Sequence, residues 1–105
     1  MPYGLTTPTI ERIQAVFAND ARIQKIWLYG SRAKGNYKNG SDIDLTIVAP
    51  QLNMADLLRL ENQIEELSLP YTVDLSLYHQ LHHPALLSHI ERVGIVFYET
   101  PLKIN

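Results

Sequence analysis

From position 30 the chain reads Gly30-Ser31-Arg32-Ala33-Lys34-Gly35-Asn36-Tyr37-Lys38-Asn39-Gly40-Ser41-Asp42-Ile43-Asp44-Leu45, joining a turn suited to phosphate with a pair of carboxylates suited to divalent cations. Glycine at 30 admits backbone angles and close approaches that a side chain would block. A short helix opening at Ser31 would present unpaired N–H groups and the positive end of its dipole, a setting for an anion. Ser31 adds a hydroxyl donor. Arg32 and Lys34 bring cationic groups, the guanidinium matched to phosphate oxygens and the ammonium acting as a point charge. Together these groups suit a triphosphate.

The carboxylates follow the Asn39-Gly40 turn. Ser41 to Val48 alternates polar and apolar residues, as a half-buried strand does. Residues two apart on a strand share a face about 6–7 Å apart, so Asp42 and Asp44 are placed to converge on divalent ions. Hard oxygen donors favour magnesium or manganese. Tyr71 to Leu77 alternates too, with Val73, Leu75 and Leu77 on one face and Asp74 on the other. If that strand neighbours the one carrying Asp44, three negative charges gather, and their repulsion raises at least one pKa until cations bind.

These groups need a scaffold, and the flanking periodicities predict one. Thr7-Pro8-Thr9-Ile10-Glu11 reads as a helix start, with Ile10, Ile13, Val16 and Phe17 on one apolar face and an end near Asn19-Asp20. Ile26 to Tyr29 is expected as the first strand, Ser31 to Gly35 as one helical turn, and Ile43 to Val48 as the second strand, stopped by Pro50. Ala55 to Leu67 carries Leu57, Leu58, Leu60, Ile64 and Leu67 at helical spacing, which predicts an amphipathic crossover helix. The strand after Pro70 is then expected parallel to the second through a right-handed connection. Pro84 to Arg92 predicts a final helix and Gly94 to Tyr98 a final strand. This order implies an α/β fold, a mixed sheet with helices packed on one face and the other face left partly open for the site. No repeat, low-complexity tract or linker interrupts it, so residues 1–105 are expected to form a single domain.

Composition narrows the function. A chain of 105 residues supports one modest core near the size at which burial becomes marginal, which favours a partner surface. No run approaches the roughly 18 apolar residues of a membrane span, and no secretory apolar segment follows Met1. The sequence has no cysteine, which removes disulfides, thiolate metal sites and a cysteine nucleophile from consideration; a cytoplasmic location is expected. A net charge of -2 argues against broad electrostatic binding of nucleic acid. Arg32, Lys34 and Lys38 are nonetheless three of the 9 basic residues, enough for one nucleotide's phosphates and too few for a duplex.

Other polar residues read as scaffold. Asp56 and Glu61 fall on the crossover helix, away from the strand ends. His79 and His83 have helical spacing for a metal pair, but Pro84 and the absence of the glutamate of a His-Glu-x-x-His pattern oppose it. The histidines at 79, 82, 83 and 89 are therefore read as solvated loop or partner-contact residues. Trp27 and Tyr29 read as core and rim, and the 6 tyrosines lack the basic interleaving of single-strand binders.

Gly30-Ser31, residues 32 to 41, then Asp42-Ile43-Asp44, with Asp74 on a later strand, resembles the signature of the nucleotidyltransferase superfamily typified by DNA polymerase beta. The Arg32-Ala33-Lys34-Gly35 insert resembles the basic loop of its small prokaryotic branch, the minimal nucleotidyltransferase (MNT) domain, and the resemblance covers nearly the whole chain. It implies a metal-dependent transfer of a nucleoside monophosphate, AMP from ATP, to an acceptor hydroxyl with loss of pyrophosphate. Asp42, Asp44 and Asp74 would hold two magnesium or manganese ions, with Asp74 also placed to take the hydroxyl proton. Gly30 and Ser31 with Arg32 would grip the β and γ phosphates, and Lys34 would face the leaving pyrophosphate. Larger relatives add a domain for base, template or acceptor, which a chain of this length does not accommodate. The resemblance implies instead a HEPN-domain partner in a toxin-antitoxin module, with a partner tyrosine as acceptor and this chain as antitoxin. Two other classes stay open: a binding module that neutralises its partner by contact, and a modifier of small molecules or RNA. No motif marks the base contact, the acceptor or the oligomeric state.

Overall fold

A computed structural model describes residues 2–101 of the chain. After a 3₁₀ turn at Pro2–Gly4, Thr6 caps helix α1 (Thr7–Ala18), its hydroxyl accepting from the Thr9 N–H at 3.3 Å, with Pro8 in the first turn. Then come β1 (Lys25–Tyr29), α2 (Gly30–Lys34), β2 (Ile43–Val48), α3 (Met54–Glu65), β3 (Val73–Leu77), α4 (Pro84–Val93) and β4 (Ile95–Glu99). The alternation in the sequence locates every strand and helix within about two residues. The 3₁₀ turns at Pro2–Gly4 and Tyr78–Gln80 carry no periodic signal and were not anticipated.

The strands form one mixed sheet in the order β3-β2-β1-β4. β2 and β3 are parallel, joined by the α3 crossover, while β1 is antiparallel to both β2 and β4. Asn53 and Asp56 start α3 with a reciprocal capping box, each side chain accepting the other's backbone N–H at 3.0 Å. The Asp56 carboxylate also meets Arg59 at 2.9 Å and Arg22 at 3.2 Å, tying the α1–β1 connection to the crossover. This is the scaffold role expected of Asp56.

Alternation sorts the strands into two faces. Ile26 and Leu28 of β1, Ile43, Leu45 and Ile47 of β2, and Leu75 and Leu77 of β3 join Ile13, Val16 and Phe17 of α1 and Leu57, Leu60 and Ile64 of α3 in one core cluster. The opposite face therefore carries Trp27 and Tyr29, Asp44 and Thr46, Asp74 and Ser76. Helix α4 packs on β1 and α2, and its Ile90 is buried outside that cluster. Among the described residues no helix is long and apolar enough to cross a membrane.

Candidate active site

The site forms where β1 gives way to α2. Tyr29 ends the strand in an extended conformation, and Gly30 turns the chain with φ +75°. A Cβ built on Gly30 would overlap the Asp44 carboxylate. Glycine is thus required for its backbone angle and for the space its missing side chain cedes to an acid. Gly35, at φ +87°, closes α2, its N–H donating to the Ser31 carbonyl at 2.9 Å. Ser31 is half-buried at the turn and Lys34 is exposed on the last turn of α2.

Sheet register brings the acids together. Asp44 is the Cα partner of Tyr29 on one side and of Asp74 on the other. Asp42 lies just before β2 and is exposed, as is Asp74, whereas Asp44 is half-buried. Burial first, then the charges of Asp74 and Asp42, push the Asp44 pKa above the usual carboxylate range. Beside the acids on the same face, Ser76 donates its hydroxyl to Thr46 Oγ1 at 2.9 Å, and Thr46 is fully buried. Tyr29 is buried on the same face. Burial raises its pKa, a hydrogen bond with Ser76 opposes the rise, and the charges of Asp44 and Asp74 add to it.

The donor set fits hard divalent cations: it is all oxygen, it carries repelling charge, and Asp44 is penalised for holding that charge alone. Among the described residues no group of three or more His, Asp or Glu side chains is gathered tightly enough to hold an ion by itself.

The family model described as polymerase beta, nucleotidyltransferase, matches residues 11–102. The chain belongs to that nucleotidyltransferase family. A probable protein adenylyltransferase MntA from Haemophilus influenzae is 41% identical over 51 residues, 48% of this chain and 45% of that protein. The match thus spans less than half the length of that curated relative. Among solved structures, one described as a toxin-antitoxin with AMP-PNP superposes with a TM-score of 0.69 at 24% identity, covering 91% of this chain and 75% of that one. Another, described as a tri-AMPylated Shewanella oneidensis HEPN toxin in complex with an MNT antitoxin, gives a TM-score of 0.67 at 20% identity, over 91% of this chain and 74% of that one. These structural likenesses bear on the fold, which they share with this nucleotidyltransferase.

Against that family signature, the structure puts Gly30, Ser31, Asp44 and Asp74 at one end of the sheet, with Asp42 entering it. Arg32 differs from expectation. Its guanidinium is only 3% exposed, donates from Nε and Nη2 to the Ser41 carbonyl at 3.1 and 2.8 Å, and donates from Nη1 to the Tyr3 carbonyl at 2.8 Å. The rings of Tyr37 and Tyr71 flank it at 5.3 and 4.9 Å. In this structure Arg32 is spent on the protein's own carbonyls rather than presented to a phosphate, and it pins the loop that delivers Asp42. Lys34 is left as the exposed cation of α2.

Two residues near the acids escaped sequence reasoning. Tyr29 was read as rim but is 9% exposed. His89 was read as a loop or partner residue, yet it lies on α4, where it accepts the Gly30 N–H at its Nε2 at 3.0 Å. A signal existed: His89 follows Leu86 by three positions and precedes Ile90, placing it on the inward stripe of α4. His79 sits in a 3₁₀ turn, and His83 caps α4 by accepting the Leu86 N–H at 3.2 Å. A cavity of ≈ 910 Å³ lies at the far end of β1 among Lys25, Trp27, Val48 and Tyr78 and includes none of Asp42, Asp44 and Asp74.

Proposed function

We propose that this nucleotidyltransferase moves AMP from ATP to a tyrosine hydroxyl of a HEPN-domain partner and thereby acts as its antitoxin. The observation that carries the reading is the register pairing of Asp44 with Asp74 beside a glycine whose missing side chain makes room for the Asp44 carboxylate. The naming of a relative as a probable protein adenylyltransferase supports the donor and acceptor class. The AMPylated HEPN toxin in a structural neighbour supports the partner.

In this reading Asp42, Asp44 and Asp74 would hold divalent cations, which supply charge neutralisation for the polyphosphate and the attacking oxygen. The chain's own part is positioning, the dominant contribution in phosphoryl chemistry. The Gly30–Ser31 turn orients the β and γ phosphates through the Ser31 N–H and hydroxyl, the Gly30 N–H being held by His89. Lys34 offers charge to pyrophosphate as it departs. The acceptor oxygen bonds to the α phosphorus, the α–β phosphoanhydride bond breaks, and the acceptor proton passes to Asp74, which is exposed enough to receive it. Arg32 acts at one remove by fixing the loop before Asp42.

The test is incubation of the chain with α-labelled ATP, magnesium and a HEPN-domain protein. Label on the partner that is lost in Asp42→Asn and in Asp44→Asn supports transfer. Partner inhibition that survives both substitutions without label establishes neutralisation by contact, and label on RNA or a metabolite without partner establishes a different acceptor.

A further inference from the structure

We infer that His89 is a positioning residue for nucleotide binding, an α4-borne clamp that keeps the Gly30–Ser31 turn in its phosphate-ready shape. The inference rests on the transferase reading above. Its geometry begins with an unpaired end of the sheet. β4 pairs with β1 only as far as Leu28 opposite Ile95, because the chain before Ile95 is the connection from α4. Backbone donors of β1 beyond that point have no ladder partner on this side. Tyr29, at the start of α2, supplies no side-chain cap either. The Gly30 N–H finds His89 Nε2 at 3.0 Å instead, with Nε2 as the acceptor.

A second contact makes the placement specific. The His89 ring meets the Tyr29 ring edge-on, centroids 6.2 Å apart and planes at 81°. Tyr29 is the register partner of Asp44, and its phenol is near enough to Asp44 and Asp74 to feel their charges. One side chain on α4 thus touches the residues on both sides of the strand-to-helix junction. Gly30 needs such a restraint, since glycine moves among backbone wells more freely than any other residue. A rotation there would carry the Ser31 hydroxyl away and let Asp44 shift into the vacated space.

Two substitutions separate acceptor from packing. His89→Phe keeps an aromatic edge against Tyr29 but accepts nothing, whereas His89→Gln restores an acceptor oxygen at similar reach. The chain has 5 glycines, so glycine-selective ¹⁵N labelling resolves the Gly30 amide, with the Gly35 and Gly94 amides, bonded to Ser31 and Ile90 carbonyls, as internal references. Without nucleotide, His89→Phe is expected to raise Gly30 exchange about fivefold, the equivalent of one ordinary hydrogen bond, and to leave the two references unchanged. Affinity for a non-hydrolysable ATP analogue with magnesium falls by a similar factor, and His89→Gln recovers both. In transfer assays the change falls on KM for ATP rather than on kcat, because the turn holds phosphate in ground and transition states alike. Unchanged Gly30 exchange in His89→Phe overturns the inference. So does faster exchange with unaltered nucleotide affinity, or a rise at all three glycines that marks general loosening. An unsubstituted chain that binds no nucleotide sinks the transferase reading and this one together, and the exchange arm, run without nucleotide, distinguishes that case from failure of the histidine contact.

Discussion

The Asp44 carboxylate occupies the space that a side chain on residue 30 would fill. Two demands converge on one glycine, the left-handed backbone and the approach of an acid from the neighbouring strand, and they are separable by experiment. Gly30→Ala incurs about 1–2 kcal/mol for the backbone and also displaces Asp44. Gly35→Ala, at φ +87° with open space around it, incurs the backbone term alone. Thermal unfolding is therefore expected to fall in both variants. Transfer is expected to drop at least ~100-fold only in Gly30→Ala, the scale of a misplacement near 1 Å. Equal loss of transfer in the two would show that the overlap is irrelevant.

The half-buried Asp44 sets up a conflict between stability and function. Its pKa is raised by burial and by the charges of Asp74 and Asp42, so the folded chain binds the proton more tightly than the unfolded chain does. That contribution is present below the ordinary carboxylate value and is lost as pH rises through the folded one. At neutral pH the ionised side chain is therefore a burden. Asp44→Asn should abolish transfer yet raise Tm by about 2–4 °C at pH 7, a modest figure because water still screens the group. The gain closes as pH falls to about 4. Magnesium should narrow it as well, by stabilising the unsubstituted chain alone. A lower Tm for the variant at pH 7 would contradict this account.

Position along the chain made the acids legible, and proximity across it did not. The period-2 alternation around Asp44 and Asp74, with the apolar crossover helix between them, leads to neighbouring parallel strands, and the register pairs the two residues. Arg32 shows the limit. Its place in a basic loop beside Gly30-Ser31 suits a phosphate, and no local pattern reveals that it donates three hydrogen bonds to the carbonyls of Tyr3 and Ser41. His89 is distant in sequence from Gly30, and only the docking of α4 on β1 and α2 makes them neighbours.

The role of Arg32 yields a sharp contrast. A phosphate grip, when removed, would raise KM for ATP and leave the fold intact. A buried loop pin behaves otherwise, since its loss strands the Ser41 and Tyr3 carbonyls and withdraws three charge-assisted bonds. Arg32→Ala is expected to lower stability by about 3 kcal/mol, at the scale of losing a buried hydrogen-bonded charged group. Limited proteolysis should then cut between residues 36 and 41. Arg32→Lys should not rescue, because an ammonium cannot span two carbonyls as the guanidinium fork does. Full stability with raised KM alone would return Arg32 to the phosphate.

Asp56 tests the scaffold with the sign opposite to Asp44. The Asn53 backbone N–H, then Arg59 and Arg22, hold its carboxylate down to about 2. A depressed pKa contributes stability that is present above the ordinary carboxylate value and lost as pH falls through the folded one. The unsubstituted chain should therefore lose stability from about pH 4 downward toward pH 2. Asp56→Asn should lower the urea midpoint at pH 7 and flatten that acid limb while transfer is retained, because the residue lies on the crossover helix and pairs with Arg59 there and with Arg22 of the α1–β1 connection. In the double variant with Asp44→Asn the two effects should add, since the residues share no partner. An acid limb unchanged by Asp56→Asn would move the origin of acid sensitivity to another carboxylate, with Asp20, also lowered through its bond to Arg22, the next to substitute.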